Sequence, residues 1–470
     1  MLTLMLATLS TGHASGYFYP DVGVSALGRG GANVAGADDL SALWYNPAAL
    51  RRIKGNRFDL DISAVDHSVR FSRADDMVTD DEGNTDVLSY DPVENEAAPF
   101  VLPNFAVSSD FGLENTQFAF GVYFPFAHPN HAYDSGGAQR YNLVSSEMIQ
   151  GSFGPAVSHQ FNDWLTVGLG VTGNFLRVKQ DLDVHMYIPL TGFDLGELGD
   201  PAGDVGFALE AQDSMLISAN AGLLVEPPSG KWALGLSIRP PSTYEATGSI
   251  VADFSNHFLY TSPDDPAKEI IRESSATADG IGVTVRMPMF IKTGLLVRPI
   301  DGLELEADFV WEGWSVNEAL VVENVSFLVD TTLAPVEIET DVELPAGFQD
   351  SWSIRLGGQY AVSDAWSVRA GGLYETSAVP TSSLGLGQVD MNKFGYGTGV
   401  MVVLNDRLSL DASFGQLFFE TVEVTDSANT AIMVDAISGE VQEDSPVVGN
   451  GTYESSVIAG GLGLSWTFGP

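Results

Sequence analysis

The clearest order in the chain is an alternation of apolar with small or polar residues. In the last stretch Ile458, Leu462, Leu464, Trp466 and Phe468 share one face, and Ser455, Ala459, Gly461, Gly463, Ser465 and Thr467 share the other. The same period of two recurs in "DSWSIRLGGQYAV", where Trp352, Ile354, Leu356, Tyr360 and Val362 oppose Ser351, Ser353, Arg355, Gly357 and Gln359. It recurs again in "WLTVGLGV", where Leu165, Val167, Leu169 and Val171 alternate with Thr166, Gly168 and Gly170. One apolar and one small or polar face suits a half-buried strand, and equally a membrane strand that is apolar toward lipid and polar toward a lumen.

The connections separate those two cases. The alternation predicts fourteen strands, near 57–71, 102–111, 116–125, 140–161, 164–182, 211–225, 231–252, 279–299, 303–322, 350–362, 365–376, 392–404, 407–423 and 454–468. Every second turn is tight: 112–115, 162–163, 226–231, 300–302, 363–364 and 405–406. The others are long: 72–101, 126–139, 183–210, 253–278, 323–349, 377–391 and 424–453. A soluble sandwich has no reason to place every long loop on one side. A bacterial outer-membrane barrel does, with short periplasmic turns and long external loops. The expected fold is therefore all-β, a 14-stranded antiparallel transmembrane β-barrel with both termini periplasmic. Aromatics near strand ends (Trp164, Trp352, Trp366, Trp466, Phe468) suit the interfacial girdles of such a barrel.

Composition agrees with this and removes other classes. The 470 residues carry 62 Asp+Glu against 21 Lys+Arg, a formal net charge of −41, which disfavours nucleic acid as a partner. With no cysteine, disulfides and zinc–thiolate sites are excluded. After the first residues no stretch approaches the run of about 18–20 apolar residues that a membrane helix needs. The opening "MLTLMLATLSTGHAS" looks like the later part of a secretory signal, with residues 1–14 removed on export. Then comes "DVGVSALGRGGANVAGADDLSALWYNPAAL", apolar, Gly-rich and without a period. It is too apolar for a solvated linker and too rich in glycine for a good helix or strand.

That segment, from Ser15-Gly16-Tyr17 through Leu27-Gly28-Arg29-Gly30, Ala35-Gly36 and Asp39-Leu40-Ser41 to Asn46-Pro47-Ala48, resembles the start of the FadL/TodX family of outer-membrane transporters of long-chain fatty acids and hydrophobic compounds. Downstream, "FPFAHPNHAYDSGGAQRY", "GPAVSHQFNDWLTVGLGV" and "LPAGFQDSWSIRLGGQYAVSDAWSVRAGGLYETSAVP" look like further segments of that family. The resemblance implies that residues 15–56 form a hatch inside the barrel of residues 57–470, with Gly28, Asn46, Pro47 and Ala48 in the hatch motifs. It implies passive uptake of hydrophobic small molecules, fatty acid-like or hydrocarbon, by way of an external apolar site, a lumenal pocket, hatch movement and lateral release. The implied partners are a hydrophobic ligand, outer-membrane lipid and lipopolysaccharide, and the barrel-assembly machinery, with the chain a monomer and no cofactor. A barrel that binds, adheres or supports without transporting is the alternative reading.

Individual residues carry narrower expectations. Parity puts Glu304, Glu306, Asp308, Lys292, Arg355 and Arg369 in the lumen, where they either brace the wall as ion pairs or, for Lys292, Arg355 or Arg369, hold a ligand carboxylate. Ile188, Leu190, Phe193 and Leu195 in the long connection 183–210 are candidates for the external apolar site. Phe124 and Pro125 mark either a plain strand end or a break that opens the wall sideways, since proline cannot donate to a ladder. His128 and His131 in "HPNH" read as part of a solvated external loop, without a third metal ligand. "DDEGNTD" (80–86) lacks the spacing of a calcium loop. No Gly-x-Ser-x-Gly elbow or triad is present, so no enzyme activity is expected.

Overall fold

The computed structural model describes residues 22–469 apart from 80–84, 126–127, 188–200, 259, 261–270, 318, 331, 333–334, 346, 436–441 and 443–444. The expected signal segment 1–14, the part of the expected hatch before residue 22, and the external candidates Ile188, Leu190, Phe193 and Leu195 lie outside the described residues.

Fourteen strands form the wall. They are β1 (Asn56–Arg73), β2 (Phe100–Ser109, preceded by Val93–Glu94), β3 (Thr116–Tyr123, continued by His128–Ala132), β4 (Ser145–Asn162), β5 (Leu165–Tyr187), β6 (Asp204–Val225), β7 (Trp232–Arg239 and Ser242–Asp253), β8 (Ser275–Met287 and Phe290–Ile300), β9 (Leu303–Glu312 and Ala319–Val329), β10 (Val336–Pro345 and Ser351–Ser363), β11 (Trp366–Glu375), β12 (Lys393–Asn405), β13 (Leu408–Phe419 and Val422–Val424) and β14 (Gly451–Phe468). Each pairs antiparallel with the next, and β1 pairs with both β2 and β14, so the sheet closes. The closing ladder runs in unbroken register from Asn56 opposite Phe468 to Arg73 opposite Gly451.

The period of two sets which side chains face out. Leu169, Leu356 and Leu462 are 55%, 58% and 69% exposed, whereas their neighbours Gly168, Arg355 and Gly461 face inward. A closed ring whose exposed side is built of leucine, valine and phenylalanine is a surface for lipid, not for water. No helix among the described residues is long and apolar enough to cross a membrane. One rim carries the short turns, for example Asp301-Gly302 with Gly302 at φ +80, and the other the long connections.

Three differences from the sequence expectation lie at the long-loop rim. The connection 323–349, read as a loop, holds Ala319–Val329 and Val336–Pro345, which pair and carry β9 and β10 upward. β4 begins at Ser145 rather than near 140, and β6 at Asp204 rather than 211. "HPNH" is not a solvated loop: it belongs to the upper part of β3, pairs with β4, and places His131 at 2% exposure. Interruptions at Pro240-Pro241 in β7 and at Pro288-Met289 in β8 split strands that would otherwise be continuous, because proline has no N–H for the ladder. In β9 the break is filled by Trp314, wholly inside, whose indole N–H donates to Glu312 at 2.7 Å. Two connections cover the mouth. Residues 377–391 tuck inward through Val379, Leu384, Leu386, Val389 and Met391. In the connection after β13, Met433–Asp435 reaches the far wall and pairs parallel with the end of β5.

Candidate functional site

Inside the ring lies the Gly-rich N-terminal segment. From Val22 to Leu50 every residue but Asp38 is buried. It holds two short helices, Val24–Gly28 and Ala42–Tyr45, and a 3-10 helix, Pro47–Arg52. The rest is irregular, so its backbone N–H groups need partners from elsewhere.

Wall carboxylates supply them. Asp308 accepts from the N–H of Asn33 at 2.7 Å and of Val34 at 3.0 Å. Glu306 accepts from Ala35 at 2.6 Å and Gly36 at 3.0 Å, and pairs with the fully buried Arg29 at 2.7 Å. On the opposite side Asp59 accepts from Leu40 at 2.9 Å and Asp61 from Val24 at 3.1 Å. The bonds to Glu306, which pairs with Arg29, are charge-assisted and stronger than neutral ones. Glu306 and Asp308 therefore hold the segment, where the sequence suggested pairing across strands.

The small inward face of the wall has the same cause. A Cβ at Gly357 or Gly371 would run into the carbonyl of Arg29, and at Gly397 into that of Leu27. Asn46 and Pro47 form a tight turn, with Asn46 Oδ1 accepting from Ala48 N–H at 3.0 Å. Asn46 also reaches further, donating to the carbonyls of Val34 and of Leu223 on β6, each at 3.0 Å. At Gly28 a Cβ would meet Ser413 Oγ at 2.7 Å, and at Gly168 the Pro47-Ala48 peptide.

Above the segment the lumen is apolar with one cationic corner. Trp44 lies 5.9 Å from Phe290 and 6.3 Å from Tyr123 between ring centroids. Lys292 Nζ stands 3.8 Å from the centre of its ring and the Arg239 guanidinium 4.5 Å. Arg239 also donates to Tyr123 Oη at 3.4 Å. Met148, Leu176, Val178, Tyr244, Val285 and Met287 continue the apolar wall. The three cations singled out by parity sit in three different settings. Lys292 is in this corner. Arg355 lies by Glu375 (3.6 Å), which Lys393 joins at 3.0 Å. Arg369, nearer the short-turn rim, is bound to Asp411 and to Gln359 at 2.6 Å. Sequence reasoning missed Arg239 and Arg29; the only signal for the former was its place ahead of two prolines, and for the latter its isolation in an apolar stretch.

Between β2 and β3 the wall has an interval without a ladder, as it also has between β6 and β7 from Gln212 opposite Thr247 to Ala221 opposite Ile238. β2 and β3 pair from Ser109 opposite Phe118 to Phe105 opposite Val122. The Phe124 N–H then turns to Asn104 Oδ1 at 3.0 Å, and Pro125 follows. The next main-chain bond between them is Glu96 N–H to the carbonyl of Ala132, so among the described residues 97–103 have none to β3. Behind this edge is a cavity of about 30 Å³, lined by Val22, Leu40, Leu43 and Trp44 of the inner segment and by Asn104, Phe105, Val122 and Tyr123 of the wall.

At the long-loop rim Arg140 binds Asp204 at 2.7 Å, Tyr141 donates to Asp204 at 2.8 Å, and His185 Nδ1 lies 3.0 Å from it. His257, beside the carbonyl of Met186 at 3.3 Å, is buried, and burial pushes its pKa down to about 4. Among the described residues no group of three or more His, Asp or Glu is arranged to hold a metal.

A family model described as "Outer membrane protein transport protein (OMPP1/FadL/TodX)" matches residues 5–454. No curated protein matches the chain. Among solved structures, a Pseudomonas aeruginosa FadL homologue superposes with a TM-score of 0.73 at 17% identity, covering 96% of this chain and 100% of the other. The Pseudomonas putida toluene transporter TodX gives 0.64 at 18% identity, with 96% and 100% covered. The CymD monoaromatic hydrocarbon channel gives 0.63 at 14%, with 97% and 99% covered.

Proposed function

The chain belongs to the FadL/TodX family of outer-membrane transport proteins, and from that premise we propose that it takes up hydrophobic small molecules passively, through a lumenal pocket and out sideways between β2 and β3. Its short-turn rim and both termini then face the periplasm. The observation that carries this reading is the meeting of three features in one place: the unladdered interval, the small cavity behind it, and the part of the inner segment, Leu40 to Trp44, that lines that cavity together with Asp59 and Asp61. A hydrophobic ligand gains about 25 cal/mol for each Å² moved out of water. It gains that on entering the apolar lumen and keeps it on leaving into lipid, whereas a step into the periplasm would lose it.

A cavity of about 30 Å³ holds no such ligand, so the arrangement described is the closed one. Opening requires the inner segment to shift, and its tethers are uneven. Residues 29–36 are held by the buried Arg29–Glu306 ion pair and four N–H bonds to Glu306 and Asp308, while residues 38–45 are held to the wall by hydrogen bonds: Leu40 N–H to Asp59, Arg57 to the carbonyl of Asp38 and Asn220 to the carbonyl of Leu43. The hatch movement is therefore assigned to residues 38–45, with Trp44 leaving the cavity. Lys292 with Arg239 is the corner in which a ligand carboxylate would be held, and a neutral ligand would meet Trp44, Tyr123 and Phe290 there.

The test is uptake of a fluorescent fatty acid and of a labelled hydrocarbon by cells that make the protein, with and without residues 22–53. Saturable uptake by the intact chain, with loss of selectivity on deletion, supports transport. Uptake no greater than in cells lacking the protein would leave a barrel that only binds or adheres.

A further inference from the structure

The upper end of the β2–β3 interval is closed by side chains rather than by a ladder. Asn95, just before the main part of β2, donates to the carbonyl of His67 on β1 at 2.7 Å and to that of Asn130 on β3 at 3.2 Å. Its Oδ1 accepts from the N–H of Ala132 at 2.9 Å and of Ala97 at 3.1 Å. One amide thus ties three successive strands. Behind it His131 Nε2 lies 3.0 Å from His67 Nδ1, both rings buried, so that the third strand is bonded to the first across the second. His67 Nε2 is 2.8 Å from Ser455 Oγ on β14. His131 Nδ1 is 3.5 Å from Ser146 Oγ on β4, a distance at which any bond is weak.

We propose that Asn95 and the His67–His131 hydrogen bond form a latch on the upper edge of the wall opening, released when both imidazoles are protonated. The latch rests on the reading of this interval as the release route. Its chemistry follows from the bond itself. An N–H···N contact needs one nitrogen with a free lone pair, so the pair can carry one extra proton and keep its bond. With two, hydrogens face each other at 3.0 Å and both rings are positive. The charged side chain facing His67 is Lys393 on β12, itself held by Glu375 at 3.0 Å and Asp390 at 2.7 Å. The other neighbours are Ser455, Ser146, Phe419 on β13 and Tyr133 after β3, and the charged Glu147 on β4 and Lys179 and Asp181 on β5 line the same outer depression as His131. Lys393 opposes the second proton, which keeps the latch shut at neutral pH and yields it in acid. Protons have a path: a depression of about 510 Å³ on the outer surface is lined by Ala97, Ala98, Asn130, His131 and Ser146.

The chain has no native cysteine, so spin labels at Ala98→Cys on the β2 side and Ser135→Cys beyond β3 report the opening directly. Distances are measured in nanodiscs between about pH 7.5 and about pH 3.5, because burial, and then Lys393, push His67 well below the ordinary imidazole value of about 6.5. Losing one net hydrogen bond corresponds to about a fivefold rise in the open population. The expected result is a longer-distance population that grows in acid, is flat with pH in His131→Gln, and is present at both ends of the range in Asn95→Ala. A wild-type distance that ignores pH, or the same acid response in His131→Gln, overturns the latch. Uptake by the unlabelled protein separates the two readings. If the opening widens in acid but uptake does not follow, the latch stands and the sideways route fails.

Discussion

Glu306→Ala tests how the inner segment is held. The substitution removes the acceptor of two backbone N–H groups, at 2.6 and 3.0 Å, and the partner of Arg29 at 2.7 Å. Arg29 is wholly buried, and the next carboxylate, Glu304, stands 4.0 Å away and is partly exposed. Stranding a buried charge costs about 3–5 kcal/mol, and each lost bond to a charged acceptor about 1.5–3 kcal/mol. The terms overlap, so we take the low end, about 3 kcal/mol, which is roughly two decades in the undocked population. None of it falls on the wall. The backbone of Glu306 stays opposite Leu296 and Gly357, and the ladder does not depend on its side chain. The barrel should therefore still migrate as a folded species on unheated gels. In planar bilayers its conductance should rise well above that of the wild type, and trypsin should cut after Arg29, Arg51 or Arg52. Glu304→Ala should do far less. A Glu306→Ala protein that is folded, protease-resistant in this segment and no more conductive than wild type would refute the carboxylate-tether account.

Gly397→Val places a side chain against the carbonyl of Leu27 while leaving the strand's ladder groups in place; a folded but conductive barrel is expected, and unchanged conductance would mean the segment has room to move aside. Leu462→Arg puts a charge on the lipid face at a residue 69% exposed there, at a cost of up to about 2–4 kcal/mol near the midplane; insertion yield should fall, and a normal yield would place Leu462 away from the hydrocarbon. His257 keeps its neutral form in the folded rim, with a pKa of about 4 against an ordinary 6.5. Its contribution is complete above about pH 6.5 and is lost as pH falls toward about 4, by at most about tenfold per pH unit; hydrogen exchange of the rim should show this acid sensitivity, and His257→Asn should flatten it.

The period of two is local, and what depends on it was legible. It gave fourteen strands, the face each residue shows, and, with the rhythm of short and long turns, a closed barrel with all its long loops on one rim. The motifs around Asn46-Pro47-Ala48 gave the family. The upper parts of β9 and β10 were missed because 323–349 was read whole as one of the long connections, although "VEIETDVELP" alternates. Which lumenal residues meet was decided only by closure of the ring. Arg29 and Glu306 are 277 positions apart and His67 and His131 are 64 apart. Parity says that such side chains point inward, but not at what height or against which neighbour. Those follow from strand register, from where prolines interrupt the ladder, and from the path of an inner segment that has no period of its own. For the same reason Met433–Asp435, crossing the mouth to pair with β5, leaves no mark in its own sequence: the strand edge it completes belongs to the far wall.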